Sequence, residues 1–438
     1  MKPALRILAG PVARARLRER GLAPADVLAV PGAAGGPKGL ILNPLDRFLF
    51  GHWLAGEGAP VHLLGASIGA WRMASACLPD AAAALAEMAR HYVEESYLDA
   101  AEVEKARASG RPVPQPGAAA VSRAFRARLA SHLGARTDAL LRHPRFRLHL
   151  FTSRGVHPLL RREGRLRTLA GYVGAYAANL RSRARMGGWL ERVVFSDTRD
   201  ALPFALDDYP GRTCALGPHN SFEALVASCS IPFWLQAVHD IPGAPPGAYW
   251  DGGITDYHLH LDYASALRGR GERVPGRAWA GSPGGERRRE EASSRSSEEG
   301  IPSSEAESPS PEEERRRSEG ASLGTSADVR AEGPRLVLYP HFQPSVVPGW
   351  LDKSLHARHG ASARLDNVVL LVPDADWIAR LPNAKLPDRR DFKAYGADHA
   401  GRAAVWRRAI AESERLADEF AARVEGGRPI EAEALGEG

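Results

Sequence analysis

The chain predicts an α/β protein built on a mostly parallel sheet with helices on both faces. Three observations carry that class. Short apolar runs alternate with longer stretches of helical periodicity along most of the 438 residues, the pattern that strand–helix–strand crossovers produce. The composition, 44 % hydrophobic and 25 % charged, excludes a wholly disordered or collagen-like polymer. No uncharged apolar run reaches the ~18 residues needed to cross a bilayer, and the longest candidate, 224–239, contains Pro232 and reads as a buried helix end.

The elements follow in order. A short strand over 27–30 ends in Pro31-Gly32, and a helix over 40–54 carries apolar residues at 41, 45, 48, 49 and 53. A second strand is expected over 61–64 and a second helix over 68–76. Residues 79–109 read as largely helical, closed by a linker at 110–117. Further strands are expected over 146–151, 192–195, 248–250, 335–339 and 367–372. A final amphipathic helix is expected over 402–424, with Trp406, Ile410, Leu416, Phe420 and Val424 at helical spacing.

Charge divides the chain. Residues 282–333 hold 13 acidic and 8 basic residues and no aromatic, a net of −5 that leaves +11 for the remainder of a chain with net +6. Built from Ser, Pro, Gly, Glu and Arg, that stretch cannot bury enough apolar surface to offset its ordering entropy and is expected to be a disordered insertion. The expected organisation is therefore a main folded domain over 1–281, the insertion over 282–333, and a segment over 334–438 that completes or packs on the first. A body at +11 favours anionic surfaces. Its arginines are scattered and form no nucleic-acid motif, so no nucleic-acid partner is expected. Arginine supplies 52 of the 58 basic residues and lysine 6, which makes a conspicuously placed lysine informative. Arg6, Pro11, Arg14 and Arg16 interrupt any N-terminal secretion signal. Cys77, Cys214 and Cys229 are too few and too scattered for a disulfide framework or a zinc cluster. The expected location is cytoplasmic, with peripheral contact to anionic membrane.

Chemistry is written in three places. Gly65-Ala66-Ser67-Ile68-Gly69 lies between a predicted strand and a predicted helix, the context of a nucleophile elbow, in which a serine on a tight turn is presented above a helix N-terminus. Gly32-Ala33-Ala34-Gly35-Gly36-Pro37-Lys38-Gly39 is a glycine-rich turn opening a helix, a place where free N–H groups meet an anion. Pro37 and Gly39 flank Lys38 where a phosphate loop needs glycine and Ser or Thr, so the anion expected is a reaction oxyanion. Gly35 and Gly36 are the expected donors, Pro37 has no N–H to give, and Lys38 adds positive potential or braces the loop. Third, Trp250-Asp251-Gly252-Gly253 ends an apolar strand and offers a carboxylate base for serine. Two other arrangements compete. Asp374 with His399 would complete a triad in an α/β-hydrolase, and Asp256, His258, His260 and Asp262 would share one face of a strand as metal ligands.

Together the three motifs resemble the patatin-like phospholipase family. The resemblance rests on Ala34-Gly35-Gly36-Pro37-Lys38-Gly39, the elbow from Gly65 to Gly69, and Asp251-Gly252-Gly253 in that order. Ala227-Ser228-Cys229-Ser230-Ile231-Pro232-Phe233 is similar to the segment preceding that family's aspartate strand. The match covers roughly 28–256. It implies a three-layer α/β/α fold and a phospholipase- or lysophospholipase-type serine esterase that hydrolyses lipid acyl esters with a Ser67–Asp251 dyad. The N–H groups of Gly35, Gly36 and Ile68 would hold the oxyanion, and no metal or cofactor is implied. Two departures stand out: Ala34 replaces a glycine and would alter the loop, and β-branched Ile68 replaces a small residue and would narrow the acyl entrance. A lipid-binding protein without catalysis on the same fold is the non-enzymatic alternative.

Overall fold

In a computed structural model, which describes residues 2–96, 104–105, 108–109, 116–268 and 335–436, the apolar runs become strands of one sheet. The predicted insertion at 282–333 lies outside the described residues. The strands are β1 (Leu5–Ala9), β2 (Val27–Gly32), β3 (Val61–Gly65), β4 (Phe146–Gly155), β5 (Leu190–Ser196) and β6 (Gly211–Ala215). They continue with β7 (Val238–His239), β8 (Ala248–Asp251), β9 (Leu336–Pro340), β10 (Val368–Pro373) and β11 (Glu433–Ala434). The main order is β11-β1-β10-β9-β2-β3-β4-β5-β6. The run β10, β9, β2, β3, β4 is parallel throughout, with antiparallel pairings at β1–β10 and β4–β5. Helices flank this sheet, so the α/β class with a mostly parallel centre holds.

Every residue of β2, β3, β9 and β10 is buried. Strands covered on both faces read as continuous apolar runs, which is why these four were visible in the sequence. β1, β6, β7 and β11 were not anticipated. In β6 only Cys214 is buried, so Gly211, Arg212 and Thr213 gave no apolar signal. In β1, Arg6 interrupts the apolar pattern and pairs with Glu433 of β11. The segment after residue 334 completes the sheet, because β9 lies between β2 and β10.

The helix expected over 40–54 is three successive winding patterns. A 3-10 turn (Gly36–Leu42) is followed by an α-helix (Asn43–Phe48) and a π turn (Leu49–Trp53). Pro44 lacks the N–H that would continue the first pattern into the second. The helix expected over 402–424 is two, His399–Glu412 and Glu414–Val424. At the break the Ser413 hydroxyl donates to Ala409 O at 2.6 Å, a back-bond that bends helices. Of the long helix expected over 79–109, Ala81–Val93 is helical, residues 94–96 are turn and irregular chain, and 104–105 and 108 are again helical. Helices Pro11–Arg20, Ala118–Leu133 and Arg165–Arg181 had not been anticipated.

Candidate active site

The sheet register brings the two ends of the dyad together. β4 uses one edge for β5, which pairs along it from His149 to Gly155. Its other edge is shared. β3 pairs from Phe146 to Leu150, and β8, running the opposite way, pairs from Thr152 to Arg154. The C-terminal ends of β3 and β8 therefore point at each other along one edge of β4, with Gly65 opposite Leu150 and Asp251 opposite Thr152. Ser67 follows the first end and Asp251 closes the second. The Ser67 hydroxyl donates to Asp251 Oδ2 at 2.5 Å, both residues being buried.

The turn at Ser67 is held in a strained shape. Ser67 has φ 56°, ψ −128° and caps the helix Ile68–Ala76, a conformation that costs a non-glycine residue ~1–3 kcal/mol. Its flanking glycines are sterically required. A Cβ at Gly69 would lie 1.8 Å from Gly32 O, and one at Gly65 2.4 Å from Ala70 Cα. The 227–233 segment braces the same turn. Ser67 N–H donates to Ser228 O at 3.1 Å, the Cys229 thiol donates to Ser67 O at 3.2 Å, and Asp251 N–H donates to Ser230 O at 2.9 Å. This positioning role had not been read from the sequence, although the segment itself had been noticed.

Asp251 Oδ1 accepts the Gly253 N–H at 2.8 Å. Burial pushes the Asp251 carboxyl above its ordinary range, while the hydrogen bond from Ser67, the Arg389 charge, the Gly253 N–H and the Lys353 charge work against that rise. The two glycines that follow let the chain pass tightly: a Cβ at Gly252 would fall 2.0 Å from Phe151 O, and one at Gly253 2.6 Å from the Ala34 methyl. The base loop and the glycine loop are thus in contact, and Ala34 N–H donates to Tyr257 O at 2.9 Å. Ala34 has a negative φ, while Gly36 takes φ +58°.

The dyad opens into a cavity of about 350 Å³ lined by Ala34, Gly35 and Lys38 from the glycine loop and by Ser67, Asp251 and Gly253. Gly36 and Ile68 do not line it. Ile68 is buried, and its side chain packs against the position of Gly39, where a Cβ would meet Ile68 Cγ2 at 3.2 Å. The expectation that Ile68 narrows an acyl entrance is therefore corrected: it supports the loop instead. The N–H groups of Gly35, Gly36 and Ile68 find no protein acceptor among the described residues, as expected of first-turn amides.

Sequence reasoning missed the rest of the wall. Tyr257, Trp350, Lys353, Asp388, Arg389 and Arg390 complete it, with Ile231. Lys353 Nζ stands 3.9 Å from the centre of the Tyr257 ring, and Lys38 Nζ 5.3 Å from that of Phe342. Desolvation, then the charges of Arg389 and Lys38, hold Lys353 down to about 8. Desolvation likewise lowers Lys38. Four cationic side chains face two carboxylates, and among the described residues none of the four is in an ion pair. The scarcity of lysine that drew notice to Lys38 would also have singled out Lys353.

The competing arrangements come apart. Residues 256–262 are irregular chain, not a strand. Asp256 is held by Arg192 at 2.9 Å, Asp262 by Arg268, and His258 Nδ1 accepts Val347 N–H at 3.0 Å. Asp374 caps the helix Ala375–Ile378, His399 opens His399–Glu412, and neither lines the cavity. Glu87, His91 and His132 place ligand atoms within 4.8 Å of one another. There Arg136 already holds Glu87 at 3.1 Å and the Ser75 hydroxyl lies 2.9 Å from His132 Nε2, while the buried Nδ1 atoms of His91 and His132 have no hydrogen-bond partner among the described residues. No family model matches the chain, and neither a curated protein nor a solved structure matches it.

Proposed function

We propose that this protein is a serine acyl hydrolase acting on lipid esters of phospholipid type. The observation that carries the reading is the 2.5 Å hydrogen bond from the Ser67 hydroxyl to Asp251 in the lining of a cavity. A serine is a weak nucleophile until a neighbouring base takes its proton. Here the base is a carboxylate raised towards the working range by burial. As Ser67 Oγ attacks the ester carbonyl, Asp251 accepts the hydroxyl proton. The tetrahedral oxyanion is met first by the amide of Gly35, which lines the cavity, with the amides of Gly36 and Ile68 just behind the wall as further donors; a donor that reaches the oxyanion is worth ~3–4 kcal/mol in such sites. Collapse expels the alcohol, which takes the proton from Asp251 and leaves Ser67 acylated. Asp251 then deprotonates a water that releases the fatty acid and restores the serine.

The cationic wall of Lys38, Lys353, Arg389 and Arg390 supports a substrate with an anionic group beside the scissile ester, as a phosphate headgroup provides. A fluorophosphonate probe followed by peptide mapping tests the nucleophile. Labelling is expected at Ser67, and the Ser67→Ala and Asp251→Asn proteins should fold while ester turnover falls by ~10³-fold or more. Equal turnover in wild type and Ser67→Ala would leave the lipid-binding alternative in its place.

A further inference from the structure

Helix Arg165–Arg181 is turned inside out. Its buried positions are Thr168, Gly171, Ala175 and Asn179, small or polar, whereas Leu166, Leu169, Val173, Tyr176 and Leu180 stand in solvent, Leu166 at 81 % exposure. Those five follow helical spacing and form one stripe. The close inner packing explains the small residues: a Cβ at Gly174 would fall 2.1 Å from the Trp189 ring and one at Gly171 2.6 Å from Leu160. Among the described residues, the remaining large hydrophobics of comparable exposure are Phe233 and Trp234. They adjoin the stripe, since Phe233 meets the Tyr172 ring edge-on at 6.2 Å. Phe233 has φ 69°, a strained backbone for a bulky residue, and the strain coincides with an exposed ring.

This face adjoins the wall of the cavity at two points. Ile231, two residues before Phe233, lines the cavity. Tyr176 hydrogen-bonds Ser354, which is next to the cavity residue Lys353. The charge flanking the stripe is predominantly positive. Arg161, Arg162, Arg165, Arg167, Arg181 and Arg185 are exposed, and none of them makes an ion pair among the described residues. Glu163 is the one acid in the sequence between His157 and Trp189. A second copy laid on this face would set arginines against arginines. An apolar stripe flanked by arginines matches instead the interface of an anionic bilayer, where the side chains enter the acyl boundary and the guanidinium groups meet headgroups.

We infer that the Arg165–Arg181 helix, with Phe233 and Trp234, docks the protein on anionic lipid bilayers and brings the cavity mouth to the membrane surface. Its benefit to catalysis rests on the hydrolase reading; the docking itself does not. The test is co-sedimentation of the Ser67→Ala protein with phosphatidylcholine vesicles and with vesicles of mixed phosphatidylcholine and phosphatidylglycerol. Binding to the mixed vesicles is expected to be at least ~10-fold tighter. Leu169→Glu with Val173→Glu should weaken it by ~10-fold or more. The same pair of changes in the Ser67 protein should leave the circular dichroism spectrum and the turnover of a short soluble ester at wild-type level. Absence of vesicle binding, equal binding to both vesicle types, or undiminished binding by the double variant would overturn the assignment. A concentration-dependent dimer dissolved by the double variant would overturn it too, giving the face to a second copy. Failure of the hydrolase reading would show separately, as a soluble-ester rate that Ser67→Ala does not change.

Discussion

At the scale of single residues the site is a balance of charges around one carboxylate. Asp251 is raised by burial and restrained by Arg389 and Lys353, and Lys353 is itself lowered to about 8. The signs give a pH profile. A base works when deprotonated, so kcat/KM should fall as pH drops through the raised Asp251 pKa, at higher pH than for an ordinary aspartate. A lysine attracts an anion only when protonated, so the rate on an anionic ester should also fall as pH rises through about 8. Lys353→Met should abolish the alkaline fall, move the acid limb upwards, and raise KM for an anionic ester by roughly 3–10-fold relative to a neutral one. A pH–rate series on both esters checks this, and an unchanged alkaline limb would remove Lys353 from substrate binding. Residue identity alone singled out Ser67, Asp251, Lys38 and the glycines. Arg389 and Arg390 were illegible, because two more arginines among 52 carry no signal until the fold places them.

At the scale of elements the decisive unit is β3, the Ser67 turn and the helix Ile68–Ala76. Gly69 lets that helix sit directly on β2, since its Cβ position is 1.8 Å from Gly32 O. Backbone cannot yield there as a flexible side chain would. Gly69→Ala should therefore cost about 3 kcal/mol, read as a lowered denaturant midpoint with loss of turnover; an unchanged midpoint would mean the helix is not seated this closely. Strand–turn–helix was legible because its parts have opposite hydrophobic periods and glycines at both sides of the serine. Helix Arg165–Arg181 was not anticipated, and its large residues face outwards while its small ones face inwards. A sequence reader would assign that stripe to the core, and only packing shows which face is covered.

At the scale of the molecule, the C-terminal segment is part of the sheet. β9 and β10 carry nine buried side chains, from Leu336 to Tyr339 and from Val368 to Val372. Their burial contributes on the order of 15–25 kcal/mol as an upper bound, more than the whole ~5–15 kcal/mol stability of a typical domain. A chain ended after residue 268 should therefore fail to give a cooperative unfolding transition, although every residue of the three motifs is retained. A soluble fragment with a sharp melting curve would show that the sheet up to β8 stands alone. Among the described residues no helix is long and apolar enough to cross a membrane.

The sequence by itself determined the α/β class, the strand-rich centre and the three motifs, since apolar periodicity and glycine placement are local properties of the chain. The tertiary structure alone decided that β3 and β8 meet end to end on β4, and that residues beyond 334 supply cations to the cavity. It also decided which face of the Arg165–Arg181 helix is left uncovered. These are distances between parts far apart in the chain, set by how strands pair and helices pack, and no local pattern encodes them.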